Sequence, residues 1–146
     1  MLVTKAQLVG LIPHEGAMCL LDGVVRWDDA GIACISSSHH DERNPLRKDG
    51  ELRALCGIEY AAQAMAMHGA LTGEGPRARA GYLASLRDVV CQAERLDERE
   101  GELLVEAEQL ARDGRGASYR FTVRVGDAEI LSGRATVVFD ADRAAA

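Results

Sequence analysis

The sequence predicts an α+β domain in which one long central helix is wrapped by a curved antiparallel sheet. Residues 53–72 are apolar or small almost throughout after Arg53, which is typical of a buried helix. Two runs with strand character precede this segment, and four follow it. A single apolar helix needs a concave surface to cover it, and a strongly twisted antiparallel sheet provides one.

The elements before the helix are predicted from capping, turn and apolar patterns. Residues 4–10 indicate a short helix capped by Thr4. Residues 17–27 and 31–37 are predicted to form the first two strands. The polar stretch 38–52 contains Pro and Gly and is predicted to be a long loop, and a loop of this length in a compact domain is often functional.

After the helix, the sequence indicates strands only. Tight-turn dipeptides at Asp113-Gly114 and Gly126-Asp127 separate the last three runs. The predicted strands cover residues 80–93, 102–112, 115–125 and 129–139. These runs predict an antiparallel meander, and the whole chain, 1–146, is predicted to be a single domain.

Composition excludes several classes of function. A net charge of −6 and 4% aromatic residues argue against a nucleic-acid-binding protein. We expect no membrane span and no signal peptide, and therefore a cytoplasmic protein. The four cysteines are widely spaced and are interpreted as small buried residues rather than zinc ligands or disulfides. Phosphate-binding, dinucleotide-binding and metal-ligand motifs are absent from the sequence, so no cofactor or metal is expected.

Glu59 is the first candidate for a catalytic residue, because it is a carboxylate in the most apolar segment of the chain. Burial of a carboxyl group raises its pKa, which suits a general acid or base near neutral pH. Gln63 lies four residues later on the same helix face and could orient the carboxylate. A second interpretation remains open, in which Glu59 only interacts with the positive end of the helix.

The polar loop supplies the second set of candidates. His39 and His40 precede Asn44, and a histidine beside a buried glutamate would make an acid/base pair. The alternative is that both are solvated loop histidines. His14 follows a proline in a bend and is expected to be structural, whereas His68 lies nine residues after Glu59 and is expected on a different helix face, in the core or at the surface.

Two further groups have weaker functional interpretations. Met65 and Met67 are expected to fill the core, although methionine also suits an acyl-chain channel, which Leu83 would line from the following strand. Arginines in or beside the turns could bind the phosphate of phosphopantetheine or an acidic carrier protein; otherwise they are solvated. These are Arg77, Arg79, Arg112 and Arg115.

Three segments resemble a known family. The β-hydroxyacyl-carrier-protein dehydratases have a similar opening, LIPHEGAMCLLDGVV at residues 11–25, and a similar central helix, IEYAAQAMAMHG at residues 58–69. Residues 81–139 run in step with their last four strands, so the resemblance covers nearly the whole chain. It implies the hotdog fold. Two phrases, NPLR and GIEYAAQAMA, resemble a divergent branch from aryl polyene gene clusters, whose members act beside a second dehydratase.

The resemblance also implies roles for individual residues. It places the family's catalytic carboxylate on Glu59 and its helix glutamine on Gln63. The family's catalytic histidine, fourteen residues before the carboxylate, falls on Pro45, and its helix-opening glycine falls near Ala54. His40 or His39 would therefore have to replace the missing histidine. The candidate catalytic residues are Glu59, His40 and His39, and the candidate substrate-binding residues are Gln63, Asn44, Gly57, Met65 and Leu83.

The resemblance implies dehydration of 3-hydroxyacyl thioesters on an acyl carrier protein to trans-2-enoyl thioesters, without a cofactor, in fatty acid or polyene synthesis. The expected partners are a carrier protein with a phosphopantetheine-linked acyl chain and a second hotdog subunit, in a homodimer or a heterodimer. Two alternatives remain open. The chain could be a non-catalytic subunit paired with an active dehydratase, or it could be an acyl thioesterase.

Overall fold

The computed structural model describes residues 2–9, 18–73 and 81–139, and every structural statement below concerns these residues. They form seven strands and two α-helices. In chain order these are β1 (Val3–Thr4), α1 (Lys5–Val9), β2 (Gly23–Asp28), β3 (Gly31–Ser36), α2 (Gly57–Thr72), β4 (Gly81–Cys91), β5 (Leu103–Arg112), β6 (Gly116–Val125) and β7 (Ala128–Phe139). Short 3₁₀ turns at Ser38–His40 and Ala54–Cys56 lie at the two ends of the long loop.

The strands form one antiparallel sheet in the order β1-β2-β3-β5-β6-β7-β4. The strand that follows α2 is therefore at one edge of the sheet, where it pairs with β7 alone. The predicted architecture, one long helix wrapped by a curved antiparallel sheet, is confirmed.

The core lies between α2 and the concave face of the sheet. The helix packs mainly on β3, β5 and β6. Tyr60 and Met67 of the helix are fully buried, as are Phe121, Leu103 and Leu131 from the facing strands. Burial of such large side chains is the main favourable contribution to folding.

One glycine explains how closely the helix approaches the sheet. A Cβ atom at Gly57, the first residue of α2, would lie 2.9 Å from Cδ2 of Leu131 and 3.4 Å from Cγ2 of Val123. A side chain at this position would force the neighbours to shift. Gly57, predicted to bind substrate, thus has a packing role in the structure.

The four strands predicted after the helix are confirmed within one or two residues at each end, and β5, β6 and β7 form the expected meander. The prediction is wrong for β4, which pairs with β7 instead of β5. Gly126 has a φ of +58° in the two-residue connection between β6 and β7, a conformation that glycine adopts without steric cost. The Asp113 carboxylate accepts hydrogen bonds from the backbone N–H groups of Arg115 and Gly116 in the preceding turn. The turn dipeptides therefore define these connections as expected.

Three boundary predictions require correction. The first long strand begins at Gly23, not at residue 17, because Cys19, Leu20 and Leu21 are all buried and so do not alternate between two faces. The helix predicted from residue 53 begins with a 3₁₀ turn and becomes α-helical at Gly57. The two-residue strand β1 was not predicted. The short helix is confirmed, and Gln7 Oε1 accepts a hydrogen bond from the backbone N–H of Thr4, as in a capping box.

The cysteines differ from the expectation of uniform burial. Cys19 and Cys34 are buried, Cys56 is half-buried and Cys91 is exposed. No cluster of three or more potential metal ligands occurs among the described residues. Within the same ranges, no helix is long and apolar enough to cross a membrane.

Candidate active site

The candidate site lies at the start of α2, where Glu59 and Gln63 share one face of the helix. Gln63 is fully buried and makes three contacts through its side-chain amide. Its Oε1 accepts a hydrogen bond from the backbone N–H of Leu20 at 2.9 Å, and its Nε2 donates to the carbonyl of Met18 at 2.6 Å. The same Nε2 lies 3.5 Å from Oε1 of Glu59. Gln63 therefore holds the segment before β2 against the helix and also orients the carboxylate.

Glu59 itself is half-buried and lies in the first turn of the helix. A carboxylate at this end of a helix is stabilised by the unpaired backbone N–H groups. The two sequence interpretations are therefore compatible, since a group at the positive helix end can also face a reactant.

A chain of hydroxyl groups fixes the polar loop to the helix next to Glu59. Asn44 Nδ2 donates to the Tyr60 hydroxyl at 2.9 Å and to the carbonyl of Ser38 at 3.0 Å. The Tyr60 hydroxyl lies 2.7 Å from Oγ of Ser38, which in turn contacts the carbonyl of Leu20 at 2.8 Å. The Ser36 hydroxyl bonds to the same carbonyl, so either hydroxyl of the Ser38–Tyr60 pair can be the donor. Burial raises the pKa of the Tyr60 phenol, so it remains protonated.

Asn44, predicted to bind substrate, is thus a loop anchor in the structure. It is buried, and its Oδ1 accepts a hydrogen bond from the backbone N–H of Leu46. The anchoring role of Tyr60 was not predicted. A phenol within an otherwise apolar helix, directly after Glu59, was the signal that could have indicated it.

The structure separates the two candidate histidines by environment. His39 is fully buried, so the interpretation of both as solvated loop histidines is wrong for this residue. Burial and the neighbouring His40 lower the pKa of His39 to about 4, although the carbonyls of Arg99 and Gly101 offset part of the shift. Neither ring nitrogen of His39 makes a well-aligned hydrogen bond within the described residues.

His40 is exposed, and its ring lies against that of His39 with the centroids 3.8 Å apart. Its Nε2 contacts the carbonyl of Arg99. These contacts direct both imidazoles toward the segment around Arg99. The predicted pairing of either histidine with Glu59 stays a prediction.

Arg47, which no motif in the sequence marks, holds this loop in place. The Arg47 side chain is 14% exposed and donates to the carbonyls of His39, Asp41 and Gly50. It also forms an ion pair with Asp97 at 3.3 Å. Hydrogen bonds from Arg95 hold the pKa of Asp97 well below its usual range. The loop around Pro45 is therefore held in place by several hydrogen bonds and an ion pair.

The remaining candidates lie further from this network. Met65 and Met67 are both buried in the core. Leu83 is 40% exposed and lies on β4 opposite Val137. Two surface depressions on the described part of the chain are lined by other residues than Glu59, Met65 and Leu83, and the acyl channel stays a prediction.

His68 is a buried structural residue with both ring nitrogens bonded. Its Nε2 donates to the carbonyl of Asp28 and its Nδ1 accepts from the hydroxyl of Tyr119, each at 2.8 Å. Burial lowers the pKa of His68.

Of the arginines considered as ligand-binding residues, Arg112 ends β5 and Arg115 lies in the following turn. Arg77 and Arg79, like His14, lie outside the described residues.

The edge of the sheet formed by β4 carries exposed apolar side chains. Leu83 and Leu86 lie opposite Val137 and Ala135, whose positions on β7 face the helix side of the sheet. Because α2 packs mainly on β3, β5 and β6, this strip is left partly uncovered. An edge strand with an apolar strip is typical of a surface that pairs with another chain.

Fold and site together define a hotdog protein. A structure of the dehydratase heterocomplex ApeI:P from Xenorhabdus doucetiae is similar, with a TM-score of 0.78, 21% identity, and coverage of 96% of this chain and 93% of that chain. A mutant thioesterase from Pseudomonas aeruginosa and a thioesterase from Haemophilus influenzae each give a TM-score of 0.58 and 12% identity. Each match covers 80% of this chain, with 78% and 76% of the respective relatives.

The sequence itself gives a more specific assignment. Residues 6–146 match the ApeP-like family, described as ApeP dehydratase. The chain therefore belongs to the ApeP-like dehydratase family, and the resemblance noted in the sequence is confirmed. No protein with a curated description matches the chain.

Proposed function

We propose that this chain is one subunit of a two-subunit dehydratase that converts 3-hydroxyacyl thioesters on an acyl carrier protein into trans-2-enoyl thioesters. The observation that carries this proposal is the position of Glu59, which lies in the first turn of α2 and in contact with the Gln63 amide. The chain also belongs to a dehydratase family. Gln63 already satisfies two backbone groups, and its third contact directs it to the carboxylate. Aryl polyene synthesis is the pathway that the family suggests.

The reaction requires two proton transfers. A base removes the α-proton, the electrons of that C–H bond form the C2–C3 double bond, and the C3–O bond breaks. Glu59, in its protonated form, gives a proton to the leaving hydroxyl, which departs as water. Backbone N–H groups at the start of α2 polarise the thioester carbonyl during proton abstraction. If Glu59 acts alone, its carboxylate first takes the α-proton and then delivers it to the hydroxyl.

The need for a second subunit follows from what occupies the loop. Pro45 stands where the resembling family carries its histidine, and the described contacts direct His39 and His40 toward Arg99. The similar structure from Xenorhabdus doucetiae is a dehydratase heterocomplex, ApeI:P, rather than a single chain. The uncovered strip on β4 gives this chain a surface for such a partner. We propose that a second hotdog chain pairs there and supplies the base.

Pro45 also favours a second candidate, in which the chain is a non-catalytic subunit. Reconstitution separates the candidates: the chain alone, the partner encoded beside it, and their complex are each incubated with a 3-hydroxyacyl carrier protein. Mass spectrometry measures loss of water, and a thiol reagent measures hydrolysis. The proposal predicts enoyl product from the complex only. Rapid release of free thiol by the chain alone would instead show a thioesterase.

Histidine variants test the origin of the base. If the partner supplies it, His40→Ala in this chain leaves the rate of the complex within about threefold, with His39→Ala as the neighbouring comparison. A loss of roughly 10²–10⁴-fold with His40→Ala would show that the loop histidine replaces the missing one. Thermal unfolding of each variant separates loss of activity from loss of fold.

A further inference from the structure

The outer face of the sheet, opposite α2, carries three arginines in one row. Arg134 of β7 lies directly between Arg87 of β4 and Arg120 of β6 in the strand register. Like charges directly opposite each other destabilise a sheet. Two exposed carboxylates form ion pairs with two of the three arginines, Asp88 at 3.8 Å from Arg134 and Glu108 at 3.9 Å from Arg120. The row therefore retains an excess of positive charge despite the acidic chain.

A parallel row of hydroxyl groups lies beside the arginines. Thr136 is opposite Ser85 on one side and Ser118 on the other, so the hydroxyl row crosses the same three strands two residues along each. Two of the arginines, Arg87 and Arg134, and all three hydroxyl residues line a depression of about 290 Å³, together with Leu110 and Ala135. Guanidinium and hydroxyl donors thus lie together in one depression on the outer face of the sheet.

We infer that this depression binds a phosphate group, either free phosphate or a phosphate monoester. Guanidinium groups present planar pairs of N–H donors that match phosphate oxygens, and hydroxyl donors complete the shell of such an anion. A bound dianion also relieves the repulsion between adjacent arginines, which gives phosphate an advantage over a monovalent anion. No carboxylate is among the described residues that line the depression, although Asp88 lies 3.8 Å from Arg134 at its side.

This site is separate from the candidate active site. Register positions alternate across the sheet, so Arg134 and Thr136 face outward on either side of the buried Ala135. Glu59 and Gln63 lie on the helix that covers the opposite face. The inference is therefore independent of the proposed dehydratase activity, and a variant in the outer face leaves the residues around Glu59 unchanged.

The test is titration of the full chain with inorganic phosphate and, in a second arm, ribose 5-phosphate. Calorimetry is performed at constant ionic strength in a buffer without phosphate, and acetate serves as a monovalent comparison. We expect saturable binding of phosphate that falls at least tenfold in Arg134→Gln. Arg134→Lys, which keeps the charge but loses the planar donor pair, is expected to weaken binding also. Arg43→Gln, which removes an exposed arginine from the polar loop, is the matched control.

Three results would overturn the inference: no saturable binding of either probe, equal binding of acetate, or equal loss in Arg43→Gln and Arg134→Gln. Tighter binding of ribose 5-phosphate than of phosphate would assign the ligand as a monoester, and equal affinity would assign free phosphate. Circular dichroism of each variant verifies the fold, so a failure of binding is not confused with unfolding.

Discussion

At the scale of single residues, the structure places the proposed catalytic carboxylate and the residues that support it within the same short stretch of helix. Glu59 is half-buried, whereas its neighbours Tyr60 and Gln63 are fully buried. Tyr60 is hydrogen-bonded to the side chains of Ser38 and Asn44, and Gln63 to backbone groups before β2. A reactive carboxylate needs a fixed position more than it needs many partners of its own. Tyr60 fixes the loop, and Gln63 fixes the segment before β2.

The environment of His39 predicts a pH dependence of stability. Its pKa is about 4 in the folded chain and near 6.5 in the unfolded chain, so the unfolded state binds the proton first as pH falls. This contribution to stability is present above pH 6.5 and is lost between pH 6.5 and 4, by an amount on the order of 2 kcal/mol. Urea unfolding at several pH values measures it.

A variant isolates this contribution, because the lowered pKa of His68 acts in the same direction. His39→Phe removes the titrating group and should flatten the decline in unfolding free energy between pH 6.5 and 4. His40→Gln, at an exposed position, should leave most of the decline in unfolding free energy. An equal slope in His39→Phe and in the original chain would contradict this account of His39.

Removal of the Gln63 amide is expected to lower the unfolding free energy of the chain by a large amount. Gln63→Met keeps the volume but leaves the Leu20 N–H and the Met18 carbonyl without their partner. An unpaired buried polar group costs about 1–3 kcal/mol, so we expect a decrease of about 2–4 kcal/mol in unfolding free energy. Gln92→Met, at an exposed position, should change the stability by less than about 0.5 kcal/mol. Comparable losses in both variants would show that the Gln63 amide does not stabilise the packing of the segment before β2 on the helix.

At the scale of elements, the sequence predicted the parts of the fold that depend on local patterns. The apolar composition of residues 57–72 predicts a buried helix, and the turn dipeptides around Asp113 and Gly126 divide the last strands. The segment before β2 was missed because its backbone bonds to Gln63, 43 residues away, instead of to a neighbouring strand. Local patterns cannot show such a distant partner.

The site could be predicted only in part, for the same physical reason. Glu59 and Gln63 share a helix face, so their spacing was sufficient to bring them together. The burial of His39 depends on the segment around Arg99, and the position of Asn44 depends on Tyr60. Neither contact has a local signature. Leu83, predicted to line the channel from the strand after the helix, lies on the edge strand because that strand pairs with β7, and its role in a channel stays a prediction.

The link between the polar loop and α2 can be tested by hydrogen exchange. Tyr60→Phe removes the hydroxyl that joins Asn44 to Ser38, so we expect exchange at residues 38–46 to accelerate about tenfold or more. Tyr119→Phe is the matched control, because its buried hydroxyl bonds to His68 and Gln109 instead. Unchanged protection of the loop in Tyr60→Phe would show that other contacts, such as those of Arg47, are sufficient.

At the scale of the whole molecule, we expect the edge strand β4 to determine assembly. We predict that the chain forms a dimer, alone or with its partner, by pairing along this edge. Leu86→Lys places a charge in the apolar strip and should shift the mass measured by light scattering at micromolar concentration toward the monomer. Val25→Lys, at a similarly exposed apolar position on β2, should not. A monomeric original chain that stays monomeric with its partner would exclude the prediction.

The central claim is that this subunit contributes Glu59 to dehydration, and one measurement tests it most directly. The single-turnover rate of water loss is compared between the reconstituted complex and the same complex carrying Glu59→Gln, with the exposed Glu100→Gln as control. Glutamine keeps the size and hydrogen-bonding capacity but cannot exchange the proton. The account predicts a fall of roughly 10²–10⁴-fold for Glu59→Gln and none for Glu100→Gln. A complex that dehydrates at an unchanged rate with Glu59→Gln would place the chemistry in the partner and contradict the claim.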